Sequence, residues 1–136
     1  MQTVLMVIPI ITKDKKVLLR KFDPARNPYK QPWGGVSGKL VGEGSVEEMM
    51  NRELKERWNI TAKIEKQLSW DEDVKKDHDG ETKRFIYLDC LSSLASGEPY
   101  PTNPNEELRW VEIDELSNYD LCPPGVISFK KLGYLK

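Results

Sequence analysis

Two acidic side chains one helical turn apart are the strongest chemical feature of the sequence. Glu53 and Glu56 are separated by three positions in a stretch with a helical pattern, so both carboxylates leave the same side of the helix. Such a pair is unfavourable unless a cation lies between the two groups. Mg²⁺ and Mn²⁺ prefer oxygen ligands of this kind, and they also bind phosphate oxygens and water. The spacing therefore indicates a divalent metal site that could act on a phosphorylated substrate.

A glycine-rich loop precedes this helix. Ser45 is a good N-cap, Glu48 completes a capping box, and Asn59 can adopt the left-handed conformation that ends a helix. A loop that runs into a capped helix can present backbone N–H groups to an anion. Arg52 could bridge from the helix to the loop and hold the two in register. Taken alone, however, so many charges on one helix are also typical of a solvated face crossed by salt bridges.

Read as one string, residues 38–60 resemble the signature of the Nudix hydrolase family, G-x5-E-x7-R-E-U-x-E-E-x-G-U, where U is aliphatic. Six of the nine fixed positions match without a gap: Gly38, Arg52, Glu53, Leu54, Glu56 and Ile60. The resemblance continues beyond the string, because residues 105–116 are similar to the acidic strand and short helix of many members. Residues 119–121 and the closing helix are similar to the bacterial Nudix nucleoside triphosphatases. The sequence is thus identified as MutT-like.

This resemblance implies a fold, an activity and a cofactor. The fold would be α/β, a Nudix-type α/β/α sandwich with a mixed sheet, built by residues 1–136 as a single domain. The activity would be Mg²⁺-dependent (or Mn²⁺-dependent) hydrolysis of the phosphoanhydride of a nucleoside triphosphate or another nucleoside diphosphate derivative. The metal would neutralise the diphosphate and activate the attacking water.

The positions that match the family pattern define the predicted catalytic site. Glu53, Glu56 and Arg52 would be catalytic, and the metal would be held by Glu53, Glu56 and the carbonyl of Gly38. Glu106 and Glu107 are candidates for a further metal ligand and for the general base. Glu53 could also fill the role of base.

Residues outside the string could contact the substrate. Arg20 and Lys39 could attract phosphates, and Trp33, Phe85 or Tyr87 could stack on a nucleobase. Each of these residues also has an ordinary explanation, as a surface charge or as part of the core.

Three positions depart from the family pattern. Asn59 replaces a glycine, a change we expect to be harmless because asparagine also adopts the left-handed cap. Gly44 replaces the glutamate that usually partners Arg52, and Glu43 could reach the same arginine instead. Arg57 replaces a metal-binding glutamate, which changes the local charge by two units.

The third departure bears directly on the metal. At ~5 Å and an effective dielectric constant near 20, the repulsion between Arg57 and a divalent ion is on the order of a few kcal/mol. Metal binding would be weakened unless this side chain turned towards solvent. Alternatively, the guanidinium of Arg57 could contact the substrate phosphate and take over part of the metal's role.

Hydrophobic patterning predicts the elements that must position these residues. Strands are expected at 3–12, 16–22, 60–70, 83–91 and 108–113, with a loop at 23–32 and a polar connection at 71–81. Helical segments are expected at 45–58, 114–119 and 125–132. The first helix would carry one apolar stripe of Val46, Met50, Leu54 and Trp58.

Composition limits the partners. With 136 residues, 21 basic and 22 acidic side chains, the chain has no overall field to attract nucleic acid or an anionic membrane. Its longest apolar run, 4–11, is too short to span a bilayer and does not resemble a secretory signal. Cys90 and Cys122 lack metal-type spacing and fit a reducing compartment. We therefore expect a cytoplasmic monomer or homodimer whose partner is a small-molecule nucleotide, with no nucleic acid and no membrane.

Three functions remain open on these residues. The first is the Nudix hydrolase described above. The second is a catalytically silent nucleotide-binding or regulatory protein on the same fold, which Arg57 and Gly44 favour. The third is a structural or interaction domain in which residues 38–60 match by accident.

Overall fold

The structure is a computed structural model that describes residues 1–136, and it contains seven strands and two α-helices. The strands are β1 (Thr3–Lys13), β2 (Lys16–Lys21), β3 (Trp33–Gly34), β4 (Gly38–Lys39), β5 (Thr61–Lys76), β6 (Thr82–Ser96) and β7 (Glu107–Glu112). The helices are α1 (Val46–Trp58) and α2 (Pro123–Lys131), and a 3₁₀ helix covers Ile113–Asn118. None of these helices combines the length and the apolar character needed to cross a bilayer.

All seven strands belong to one mixed sheet. Its main path runs β3-β2-β1-β6-β5, while β4 pairs with β1 and β7 pairs with β2. The β1–β6 pair is parallel, and the other pairs are antiparallel. The predicted α/β/α sandwich with a mixed sheet is confirmed.

The centre of the sheet is buried on both faces, because apolar side chains leave β1 in both directions. Val7 and Ile11 belong to a buried cluster that also contains Met50 and Leu54 of α1. Ile10 points the other way, into a second cluster that contains Phe129 of α2. A strand that alternates between two cores fits a central position, since successive side chains point to opposite faces.

Local sequence signals define both ends of α1 as predicted. The Ser45 hydroxyl accepts from the Glu48 backbone N–H, and the Glu48 carboxylate accepts from the Ser45 backbone N–H. Asn59 closes the helix with φ 61° and ψ 28°, the left-handed conformation. The predicted apolar stripe is right for three of its four members and wrong for Val46, which is 39% exposed at the first turn.

The predicted polar connection at 71–81 is wrong over most of its length. β5 continues to Lys76 and pairs with β6 from Asp71 opposite Tyr87 to Lys76 opposite Thr82. Only residues 77–81 form the turn. The charged side chains here hide the apolar alternation on which a strand prediction depends, because their backbone is stabilised by cross-strand pairing and not by burial of an apolar face.

Gly97 marks a tight junction between the ends of β6 and α1. Its φ is +89°, and a Cβ built there would lie 2.1 Å from the backbone oxygen of Asn59. We expect Gly97→Ala to lower the free energy of unfolding by about 2–4 kcal/mol, from left-handed strain together with overpacking. Gly80 is the matched control, since its φ is +83° with open space around it. Urea denaturation should show a loss for Gly80→Ala of only about 1 kcal/mol, and equal losses would contradict the close-contact argument.

Candidate active site

A cavity of about 510 Å³ lies against α1 and the sheet, and charged side chains of both signs line it. Its five basic side chains are Arg20, Arg26, Lys39, Arg57 and Lys75, and its four acidic ones are Asp23, Glu53, Asp77 and Glu106. These residues come from β2, the following loop, β4, α1, β5, the turn after β5 and the segment before β7. The fold thus concentrates distant charges on one small volume.

Glu106 is the most enclosed carboxylate of this cavity, with its side chain 4% exposed. Its Oε2 accepts from Nη1 of Arg20 at 3.2 Å, and its Oε1 accepts from the indole Nε1 of Trp58 at 3.2 Å. Nη2 of Arg57 lies 3.7 Å from the same Oε2. One indole donor and two guanidiniums therefore hold this carboxylate in one orientation.

Arg20 is buried beneath this carboxylate. Its Nε donates to the carbonyl of Gly35 at 3.1 Å, and its guanidinium lies 4.5 Å from the ring centre of Phe22 and 5.0 Å from that of Trp58. Burial lowers the pKa of Arg20 to about 10, with the neighbouring charge of Arg57 as the second cause, while Glu106 acts in the opposite direction. The side chain therefore remains a cation at neutral pH and positions Glu106.

Glu53 connects α1 to the strand before it. Its Oε2 accepts from the backbone N–H of Lys39 at 2.6 Å, and its Oε1 lies 3.4 Å from Nη1 of Arg57. The side chain is 20% exposed and faces the cavity. Gly38, the predicted carbonyl ligand, pairs with Val7 in the sheet and is not among the cavity-lining residues, although its neighbour Lys39 is.

Glu56 and Arg52 lie outside this cavity. Both line a shallow groove on the other side of α1. Arg52 bridges to the preceding loop as predicted, because its Nη2 donates to the backbone carbonyls of Val41 and Glu43. The sequence predicts that Glu43 replaces the family glutamate missing at Gly44 as the partner of Arg52. Glu43 does contact Arg52, but through its backbone carbonyl and not through its carboxylate.

The residues present do not fit a divalent cation as the side chains stand. No group of three or more His, Cys, Asp or Glu side chains is arranged to hold a metal ion. The oxygens of Glu53 and Glu106 are already engaged by N–H donors, and Arg57 lies next to both. Glu56, which the spacing predicts to share the metal with Glu53, lines the separate groove, whereas Glu53 lines the cavity.

Aromatic side chains cover another part of the cavity. The ammonium of Lys75 lies 4.2, 4.6 and 5.3 Å from the ring centres of Tyr29, Phe85 and Tyr87. Phe85 and Tyr87 are stacked with their centroids 6.3 Å apart, and the hydroxyls of Tyr29 and Tyr87 are 3.1 Å apart. Burial lowers the pKa of Lys75 and raises the pKa of both tyrosines. Phe85 and Tyr87 are only 4% and 5% exposed, so a nucleobase could stack only on the ring surface that lines the cavity.

Two further predicted site residues, Trp33 for the substrate and Glu107 for the metal or the role of base, do not line the cavity. Trp33 is 9% exposed in the second core cluster, where Tyr119 meets its ring edge-on at 5.1 Å. Glu107 lies at the start of β7 with its side chain 43% exposed, and it pairs with Arg109. In contrast, Arg20, Lys39 and Arg57 line the cavity.

Sequence reasoning missed several residues of this cavity. Tyr29 and Asp23 lie in the loop after β2, and Asp23 accepts from the amide of Asn103 at 3.0 Å. This bond joins that loop to the segment that carries Glu106. The polar turn signals at both places predict loops, and nothing in their spacing predicts that the loops meet. The sequence does not predict Lys75 as a cavity residue, because its charged segment has the pattern of a polar connection and not of a strand.

A comparison with protein families now identifies the class of protein. The family model described as the NUDIX domain matches residues 1–130. The chain belongs to the Nudix family and is a Nudix hydrolase. This membership supports hydrolysis of nucleotides as its general activity.

The chain is similar to two nucleoside triphosphatases named NudI. The protein from Klebsiella pneumoniae (strain 342) is 28% identical over 137 residues, which cover 95% of this chain and 96% of that protein. The protein from Enterobacter sp. (strain 638) gives the same identity and coverage.

Solved structures share the architecture. A MutT NUDIX hydrolase from Burkholderia pseudomallei superposes with a TM-score of 0.70 at 24% identity, covering 97% of this chain and 99% of that one. The MutT protein from Bacillus halodurans gives a TM-score of 0.73 at 22% identity, covering 95% and 81%. At these identities the likeness shows the fold alone.

Proposed function

We propose that this Nudix hydrolase cleaves a phosphoanhydride bond of a nucleoside triphosphate or of another nucleoside diphosphate derivative. The observation that carries the proposal is one cavity that combines the Glu53–Arg57–Glu106–Arg20 cluster with the aromatic surface of Tyr29, Phe85 and Tyr87. Guanidinium groups suit phosphate, and aromatic rings suit a base. The similarity to the NudI nucleoside triphosphatases supports the same substrate class.

Glu106 is the proposed general base. Its carboxylate takes a proton from a water molecule as the water oxygen forms a bond to phosphorus, and the bond from that phosphorus to the bridging oxygen breaks. The leaving phosphate departs with the electron pair of the broken bond. Arg20 and Trp58 hold the carboxylate in one orientation, and this positioning lowers the barrier without any rearrangement during the reaction.

The proposed reaction step is written without a divalent metal ion. Nudix hydrolases generally use divalent metal ions, and the sequence predicted Mg²⁺ or Mn²⁺. Because the side chains do not assemble a divalent site, the proposed step depends only on groups of the chain. We also propose the cytoplasm as the location, for which two free, buried cysteines are the support.

The test is a nucleotide panel. Nucleoside triphosphates and nucleoside diphosphate derivatives would be incubated with the protein in Mg²⁺, in Mn²⁺ and in EDTA, from neutral to alkaline pH. We expect release of phosphate or pyrophosphate well above the protein-free blank for at least one substrate class. For each substrate, the rates in Mg²⁺, in Mn²⁺ and in EDTA show whether hydrolysis requires a divalent ion.

Two results would contradict the proposal. Absence of product under every condition, with a folded protein, would argue for the silent nucleotide-binding alternative if calorimetry still detected nucleotide binding. Absence of both turnover and binding would leave the cavity without a nucleotide function.

A further inference from the structure

The guanidinium of Arg57 lies between two carboxylates that come from distant parts of the chain. Its Nη1 is 3.4 Å from Oε1 of Glu53, and its Nη2 is 3.7 Å from Oε2 of Glu106. Its carbon atom Cζ is 4.3 Å from the ring centre of Trp58, which is fully buried. These three contacts, with Glu53, Glu106 and Trp58, hold the flexible side chain of Arg57 in one position between the two carboxylates.

A charged pair four residues apart on a helix is common on protein surfaces, and Glu53 with Arg57 fits that description. Two features distinguish this pair. Arg57 also reaches Glu106, whose side chain is 4% exposed, and it lines the cavity on the same side as Glu53. A purely superficial pair would have neither a buried third partner nor a cavity in front of it.

The charges of the cluster are already balanced. Glu53 and Glu106 supply two negative charges, and Arg20 and Arg57 supply two positive ones. A divalent ion between the same carboxylates would add two positive charges beside both guanidiniums. In a partly desolvated pocket that repulsion opposes metal binding.

We infer that Arg57 is the cation of this site: its guanidinium, held between Glu53 and Glu106, binds the diphosphate of the nucleotide directly, and no divalent ion is bound by these two carboxylates. The identity of the ligand rests on the proposed function. The arginine suits the task because a guanidinium offers five N–H donors in a planar fork that matches phosphate oxygens. Its side chain is 37% exposed, so donors remain available to a ligand, whereas Arg20 beneath it is 10% exposed.

The experiment measures binding rather than turnover. Calorimetry with a non-hydrolysable nucleoside triphosphate analogue would be performed in EDTA and in Mn²⁺ on wild type, Arg57→Gln, Arg57→Glu and Lys55→Gln. Electron paramagnetic resonance would count bound Mn²⁺ in the absence of nucleotide. Lys55→Gln is the matched control, because it removes a positive charge from the same helix at the separate groove.

We expect the wild type to bind the analogue with affinities within about threefold in EDTA and in Mn²⁺, and to hold no stoichiometric Mn²⁺. Arg57→Gln should lose at least tenfold in affinity in EDTA, as expected when a charge-assisted contact to phosphate is removed. Lys55→Gln should stay within about twofold of wild type. Arg57→Glu should gain a Mn²⁺ site and bind the analogue only with that ion present.

The inference is overturned if the wild type binds stoichiometric Mn²⁺, or needs Mn²⁺ to bind the analogue, or if Arg57→Gln binds it as well as wild type does. The manganese measurement on the wild type needs no variant, so a misfolded Arg57→Glu protein would not prevent a decision. If no analogue bound to any protein, the proposed function would fail. The manganese measurement on the wild type would still decide whether these two carboxylates bind the ion, and the comparison with Arg57→Glu would attribute its exclusion to Arg57.

Discussion

Replacing Trp58 by alanine is expected to lower the free energy of unfolding by about 3–5 kcal/mol, the range measured for deletion of a buried tryptophan. Trp58 is fully buried at the end of α1, in the same cluster as Leu18 and Val36. Its loss would leave a large void between helix and sheet. It would also remove the indole donor of Glu106 and the ring on which Arg20 and Arg57 rest.

Trp70→Ala is the matched control for this prediction. Trp70 lies on β5 with 61% of its surface exposed, so its removal should change the free energy of unfolding by no more than about 0.5 kcal/mol. Urea denaturation of both variants, followed by far-ultraviolet circular dichroism, makes the comparison. A loss below about 1 kcal/mol for Trp58→Ala would be inconsistent with its place in the core.

Changing Glu106 to glutamine is expected to reduce kcat for nucleotide hydrolysis by about 10²–10⁴-fold, because the carboxylate proposed as general base becomes a group that takes up no proton. Glutamine keeps the size of the side chain and an oxygen that can accept from Trp58 or Arg20. The decrease should therefore appear mainly in kcat, with a smaller change in KM. Steady-state kinetics on the best substrate of the panel measures both.

Glu107→Gln supplies the control from the adjacent position. Glu107 pairs with Arg109 at the surface, so we expect its kcat to stay within about twofold of wild type. Thermal denaturation of both variants separates a catalytic loss from unfolding, because loss of an enclosed carboxylate beside two arginines also destabilises the fold. Similar kcat values for the two variants would remove Glu106 from the role of base.

Local signals explain most of the fold that could be predicted. The capping box at Ser45 and the left-handed Asn59 depend on neighbours within a few residues, so the ends of α1 were predictable. The β-branched run of β1 likewise needs no distant information. The continuation of β5 beyond Trp70 was not predictable in this way, because its charged residues are ordered by pairing with β6.

The candidate site could be predicted only in part, and the geometry of the helix explains why. Positions three apart differ by about 60° around a helix axis and positions four apart by about 40°. The two rotations are in opposite directions, so residues three and four positions after Glu53 lie on opposite sides of it around the helix axis. Glu53 and Arg57 both face the cavity, whereas Glu56 faces the groove. The three-residue spacing of Glu53 and Glu56 predicts one shared side of the helix, and this prediction is wrong because the two residues line different surfaces.

By itself, the order of residues determined the family, the capped helix that carries Arg52 and Glu53, and the strands that bury it, since each depends on contacts between near neighbours or on a continuous pattern. Tertiary structure alone decided that Glu106 reaches Trp58 and Arg20, that Tyr29 and Lys75 complete the cavity, and that Arg57 stands between two carboxylates. These contacts join residues far apart in the chain, and their energies come from burial and charge at a shared position that no local spacing encodes.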